Sequence, residues 1–74
     1  MPEVPLLKPS EVIYAFKKYG WKVHRQRGSH IMMVKEGHIA TLSIPKHDQV
    51  ARGTLRGLLK ISGISLDDFL KTIR

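Results

Sequence analysis

Four apolar residues, Val12, Ile13, Phe16 and Tyr19, recur at helical spacing behind Ser10. Ser10 suits the N-cap of a helix and Glu11 its positive end. The spacing predicts a helix whose core face carries those four side chains and which stops at Gly20. From Trp21 to Gln26 the period changes to two. Trp21, Val23 and Arg25 fall on one side, Lys22, His24 and Gln26 on the other. Arg27-Gly28 reads as a tight turn. The runs Ile31 to Val34 and Ile39 to Ile44 read as two further strands, joined by a short turn at Glu36-Gly37-His38.

Pairing about these turns sets Arg25 opposite His30, Val23 opposite Met32, Val34 opposite Ala40, Met32 opposite Leu42 and His30 opposite Ile44. One face of the sheet then carries Trp21, Val23, Met32, Val34, Ala40, Leu42 and Ile44 and must meet the helices. Arg25 and His30 lie at its rim. Lys22, His24, Gln26, Ile31, Met33, Ile39, Thr41 and Ser43 form the outer face, where Ile31, Met33 and Ile39 make a modest apolar patch suited to docking. Pro45 ends the third strand.

A second helix starts near Gly53-Thr54 and presents Leu55, Leu58, Leu59 and Ser62. Gly57 within it costs about 1 kcal/mol against Ala, which suggests close packing there. Gly63 ends this helix, with Ile64 as the hydrophobic residue of a Schellman stop. Ser65, followed by Asp67 and Asp68, opens a last helix through Arg74. Tyr14, with Phe16 and Tyr19, is assigned to the core rather than to base stacking. The order α-β-β-β-α-α is an α+β class, close to the double-stranded-RNA-binding architecture. Residues 1–74 read as one domain, with residues 1–8 an extended arm marked by Pro2 and Pro5.

Composition narrows the function. A core of this size is marginal, and with no cysteine there is neither a disulfide nor a Cys-based metal site. No stretch is apolar enough to span a membrane and no signal peptide is visible, which with the absence of cysteine suits a cytoplasmic protein. Net charge is +7. Between Val12 and Lys35 there are six cations (Lys17, Lys18, Lys22, Arg25, Arg27 and Lys35) and no acid. That is the footprint of a polyanion partner, although an acidic protein would also fit it.

The candidate chemistry gathers where Gly28-Ser29-His30 meets Pro45-Lys46-His47. His30, at the start of a strand, is placed partly out of water, where an imidazole stays neutral and can act as a general base; the competing role is a histidine that hydrogen-bonds a neighbour. Gly28 lets the chain turn sharply and leaves room for a ligand. Ser29 brings a hydroxyl and an amide able to hold a phosphate oxygen, or is an ordinary turn serine. His47 reads as a second acid or base, a phosphate ligand or an exposed loop residue. The amides of Gly53, Thr54 and Leu55, at the start of the second helix, join Lys46, Arg52 and Arg56 as anion-binding groups. His24 and His38 read as surface residues. No histidine pair has helical i, i+4 spacing, so a metal site is not expected.

These residues form an ordered set: Gly28-Ser29-His30, Ile44-Pro45-x-His47, Gly53-Thr54-Leu55-Arg56-x-Leu58-Leu59, and Gly63-Ile64-Ser65-x-x-x-Phe69-Leu70. Together they resemble the HicA (YcfA-like) toxin family over nearly the whole chain. The resemblance implies an mRNA interferase of a type II toxin–antitoxin system with a double-stranded-RNA-binding-like fold, neutralised by a HicB-type antitoxin. It places the family's catalytic histidine at His30 and matches Gly28, Ser29 and His47 to positions of the pattern. In place of the polar or aromatic residues frequent after that histidine, this chain has Ile31-Met32-Met33. The expected activity is a metal-independent endoribonuclease with no cofactor, His30 catalytic and Arg25, Arg27, Gly28, Ser29, Lys46, His47, Arg52, Gly53 and Thr54 supporting it or binding RNA. Two other readings fit the same residues, a double-stranded-RNA-binding module that does not cut and a subunit that binds an acidic protein.

Overall fold

A computed structural model describes residues 4–73. The elements run α1 (Pro9–Lys18), β1 (Trp21–Arg27), β2 (His30–Lys35), β3 (Leu42–Pro45), α2 (Arg52–Ser62) and α3 (Leu66–Lys71). The strands form an antiparallel sheet in the order β1-β2-β3, so the expected α+β class and element order are those observed. One core joins the sheet to the helices. Phe16, Trp21, Met33, Leu42, Ile44, Leu55 and Phe69 are essentially fully buried in it. The Phe16 ring lies 4.9 Å from that of Phe69 and 6.4 Å, edge-on, from that of Trp21. The Tyr19 hydroxyl donates to the Asp68 carbonyl at 3.0 Å and ties the end of α1 to α3.

Helix ends follow local chemistry. Helix α1 begins two residues earlier than expected. Its N-cap is Lys8 and Pro9 occupies the first helical position, where a missing N–H is harmless. Ser10 is therefore inside the helix, and Glu11 reaches back to accept the Lys8 amide at 3.0 Å. Helix α2 ends as expected at Gly63, whose φ of 76° is left-handed and whose amide donates to the Leu59 carbonyl. In α3 the Ser65 hydroxyl accepts from the Asp68 amide, the expected N-cap. The helix stops at Lys71, and Arg74 lies outside the described residues.

Three placements differ from expectation. Tyr14 is 51% exposed, with the Lys18 ammonium 5.1 Å from its ring centre. Gly57 faces open space, and a Cβ there would meet no atom of the described residues within 4 Å. His38 is half-buried: its ring lies 4.9 Å from that of Trp21 and its Nδ1 accepts the Ala40 amide at 3.2 Å. The arm, of which residues 1–3 lie outside the described part, packs onto the fold. Val4 and Leu7 are buried, the Val50 amide donates to the Leu7 carbonyl, and the Arg52 Nε donates to the Val4 carbonyl.

The register also differs. Arg27 pairs with His30, Gln26 with Ile31 and Arg25 with Met32. The turn is thus Gly28-Ser29 rather than Arg27-Gly28. A bulge between Val23 and Arg25 then shifts the ladder, so that Val23 pairs with Met33. On the other side Met33 pairs with Leu42, Ile31 with Ile44 and His30 with Pro45. One residue of slip moves a whole strand to the other face. Met33 and Ile31 accordingly point into the core, and His30, Met32 and Val34 belong to the open face. Val23 is 45% exposed. The expected apolar docking patch does not exist, because Met33 is buried, Ile31 packs against the core and Ile39 stands alone in a loop.

Candidate nucleic-acid interface

The open face of the sheet is built from the even residues of β2 and their partners. His30 stands opposite Arg27 on one side and Pro45 on the other. The next row holds Arg25, Met32 and Ser43. Directly paired residues share a face, so Arg25, Arg27 and His30 present one cationic and imidazole-bearing surface. All three are exposed. The partial dehydration expected of His30 is absent, and its availability comes from standing on an uncovered face.

Gly28 and Ser29 hold this corner by their backbone. Gly28 has φ of 60° and Ser29 has no positive φ, the sign pattern of a type II′ hairpin turn. A side chain at Gly28 would be strained there. The Ser29 carbonyl accepts the Lys46 amide at 2.6 Å, which fastens the exit of β3 to the turn. His47 follows in an exposed bend. The structure thus brings together Arg27, Gly28, Ser29, His30, Pro45 and Lys46, with Arg25 one row away and His47 next in the chain.

The start of α2 is less available than its sequence suggests. The helix begins at Arg52, and Ala51 at the N-cap offers no side-chain acceptor. The Leu55 amide already donates to the Ala51 carbonyl, so it is not a free donor. Arg52 spends its Nε on the arm. Gly53 and Thr54 lie exposed in the first turn, and no hydrogen bond among the described residues ties them to the His30 corner. Arg56 is exposed on the same helix.

Charge at the corner is uncompensated. Among the described residues the ion pair found is Lys71 with Asp68, at 4.0 Å on α3. Arg25, Arg27 and Lys46 have no carboxylate partner there. Among the described residues no cluster of three His or acidic side chains is placed to hold a metal ion, and no helix is long and apolar enough to cross a membrane. The contact that sequence reasoning missed is from Gln26, whose side-chain amide donates to the Gly28 carbonyl at 3.1 Å. Only the corrected turn position brings it to notice.

A small α+β domain with a basic open sheet face and an exposed turn histidine is the class these observations define. A family model described as the HicA toxin of bacterial toxin–antitoxin matches residues 9–64 of the 74. The chain belongs to the HicA toxin family. No curated protein and no solved structure matched.

Proposed function

We propose that this chain is the ribonuclease toxin of a type II toxin–antitoxin pair, acting on mRNA in the cytoplasm and held inactive by a HicB-type antitoxin. The observation that carries the reading is the Arg27–His30 pair on an uncovered sheet face, with Arg25 in the adjacent row and no ion pair to neutralise them among the described residues. Family membership supplies the class of target and partner.

Neutral His30 takes the proton of a ribose 2′-hydroxyl. The freed oxygen attacks the adjacent phosphorus, the bond to the 5′-oxygen of the next nucleotide breaks, and that oxygen leaves with a proton from water or a protonated neighbour. The products are a 2′,3′-cyclic phosphate and a 5′-hydroxyl. Arg25, Arg27 and Lys46 would hold the phosphate as its charge grows. His47, in the exposed bend two residues past the partner of His30, Pro45, would serve as the acid. Gly53, Thr54 and Arg56, with the part of Arg52 not engaged by the arm, would contact the RNA backbone further along.

The test is incubation of the purified protein with end-labelled RNA in EDTA, beside the His30→Ala protein. Cleavage by the first and not the second supports the enzyme and its metal independence. Retention of RNA without cleavage by either would make the protein a binding module. Linear phosphate ends would replace the 2′-hydroxyl by water as nucleophile.

A further inference from the structure

The Gly28–Ser29 peptide is held from one side only. Gln26 pairs with Ile31, which packs against the core, so Gln26 belongs to the inner face of the hairpin. Arg27 and His30, one residue away on each strand, belong to the open face. The Gln26 side-chain amide donates to the Gly28 carbonyl from that inner side. A trans peptide directs its C=O and N–H in opposite senses, and no cis peptide occurs among the described residues. The Ser29 N–H therefore projects toward the open face, where His30 and Arg27 stand. It donates to no acceptor among the described residues. The next peptide is fixed as well, through the bond from the Lys46 amide to the Ser29 carbonyl.

We propose that Gln26 is a positioning residue for RNA cleavage: by anchoring the Gly28 carbonyl it aims the Ser29 N–H at the phosphate oxygen on which charge develops beside His30. The assignment rests on the ribonuclease reading and adds to it the residue that orients the donor. A donor aligned before reaction stabilises the transition state without reorganisation, which is why such groups act more on kcat than on binding. Gln26 is exposed and touches no core residue through this bond, so its loss leaves the fold intact.

The experiment compares the wild type with Gln26→Leu, which removes the donor, and with Gln26→Glu, which keeps the length and sets a carboxylate against the carbonyl. Both variants should keep the wild-type melting curve. Their kcat should fall by about 10- to 100-fold, below the loss of about 10² to 10³ for deleting such a donor outright. KM, and affinity for the same RNA carrying a 2′-deoxy substitution at the cleaved nucleotide, should stay within about twofold. In ¹⁵N–¹H spectra that uncleavable RNA should shift the Ser29 amide of the wild type and not that of Gln26→Leu. Unchanged kcat in both folded variants would overturn the proposal and leave the ribonuclease reading standing. A wild type that cuts no RNA would overturn that reading instead. The Ser29 amide would then decide the anion contact alone, and no shift in the wild type would overturn it.

Discussion

The hairpin β1–β2 and its continuation into β3 use histidine in opposite ways at their two ends. At the end near Trp21, His38 lies across the indole and accepts the Ala40 amide, so its ring and its Nδ1 are both committed to the fold. At the end near Gly28, His30 stands exposed among Arg25 and Arg27 with no side-chain hydrogen bond among the described residues. The same residue type therefore serves packing where a buried aromatic is at hand, and remains available where the sheet is uncovered. Exposure and unspent polar atoms separate a candidate catalyst from a structural histidine here.

The largest expected effect breaks that comparison at its functional end. His30→Ala should lower RNA cleavage by about 10² to 10⁴, the usual contribution of a general base. Its melting temperature should stay close to wild type, because an exposed side chain contributes within about ±0.5 kcal/mol. Cleavage assays and thermal unfolding on one preparation check both halves. Wild-type cleavage by the folded variant would remove His30 from the mechanism.

The register beneath this comparison can be tested by neighbouring methionines. Met33 is fully buried, whereas Met32 is half-buried on the open face. Met33→Ala should cost about 2–5 kcal/mol, the range for emptying a core site. A core of this size supplies only about 3–5 kcal/mol, so that variant should be near unfolding at room temperature. Met32→Ala should cost under about 1 kcal/mol. Urea denaturation followed by circular dichroism gives the ranking, and the reverse order would return β2 to the opposite face.

Much of the architecture was legible before any coordinates, and the site was legible in its residues more than in its geometry. Gly20, Gly28, Gly37 and Gly63 all have positive φ, so the chain turns or stops at each of these glycines, the first hairpin turn lying one residue later than expected. The register was hidden for two physical reasons. Ile31-Met32-Met33-Val34 is apolar throughout, so alternation gives no sign of which pair faces inward. The run Ile39 to Thr41 looks like the start of a strand, yet it is a loop closed by the bond from the His38 amide to the Lys35 carbonyl and by the His38–Ala40 contact. A bulge in β1 then shifts its ladder. His30 was thereby assigned to the right corner and the wrong face. The packing of the arm is not legible, because Val4 and Leu7 are too few to carry a period.

The structural end of the comparison predicts a smaller effect of another kind. His38→Ala removes a hydrogen bond and an aromatic contact, together about 1–2 kcal/mol. Cleavage per folded molecule should be unchanged, since the Gly28 turn lies at the other end of the strands. Chemical denaturation and initial cleavage rates measure the two quantities separately. A loss of cleavage without loss of stability would show that the two ends are coupled.

The smallest expected change is a gain, on α2. Gly57 sits inside this helix without positive φ, and among the described residues nothing lies within 4 Å of where its Cβ would be. No contact among the described residues requires glycine there. Gly57→Ala should therefore stabilise the protein by about 0.4–1 kcal/mol, chiefly by restricting the unfolded chain. For a domain of this length that is a rise of about 2–6 °C in Tm. Alanine touches neither histidine end, so cleavage should not move. A fall in Tm would mean that another molecule, such as a second copy of this chain, packs against the glycine face in solution. Repeating the melt across a range of protein concentrations would expose that partner, because a self-association dissolved by the added methyl makes the wild-type Tm, but not the variant's, rise with concentration.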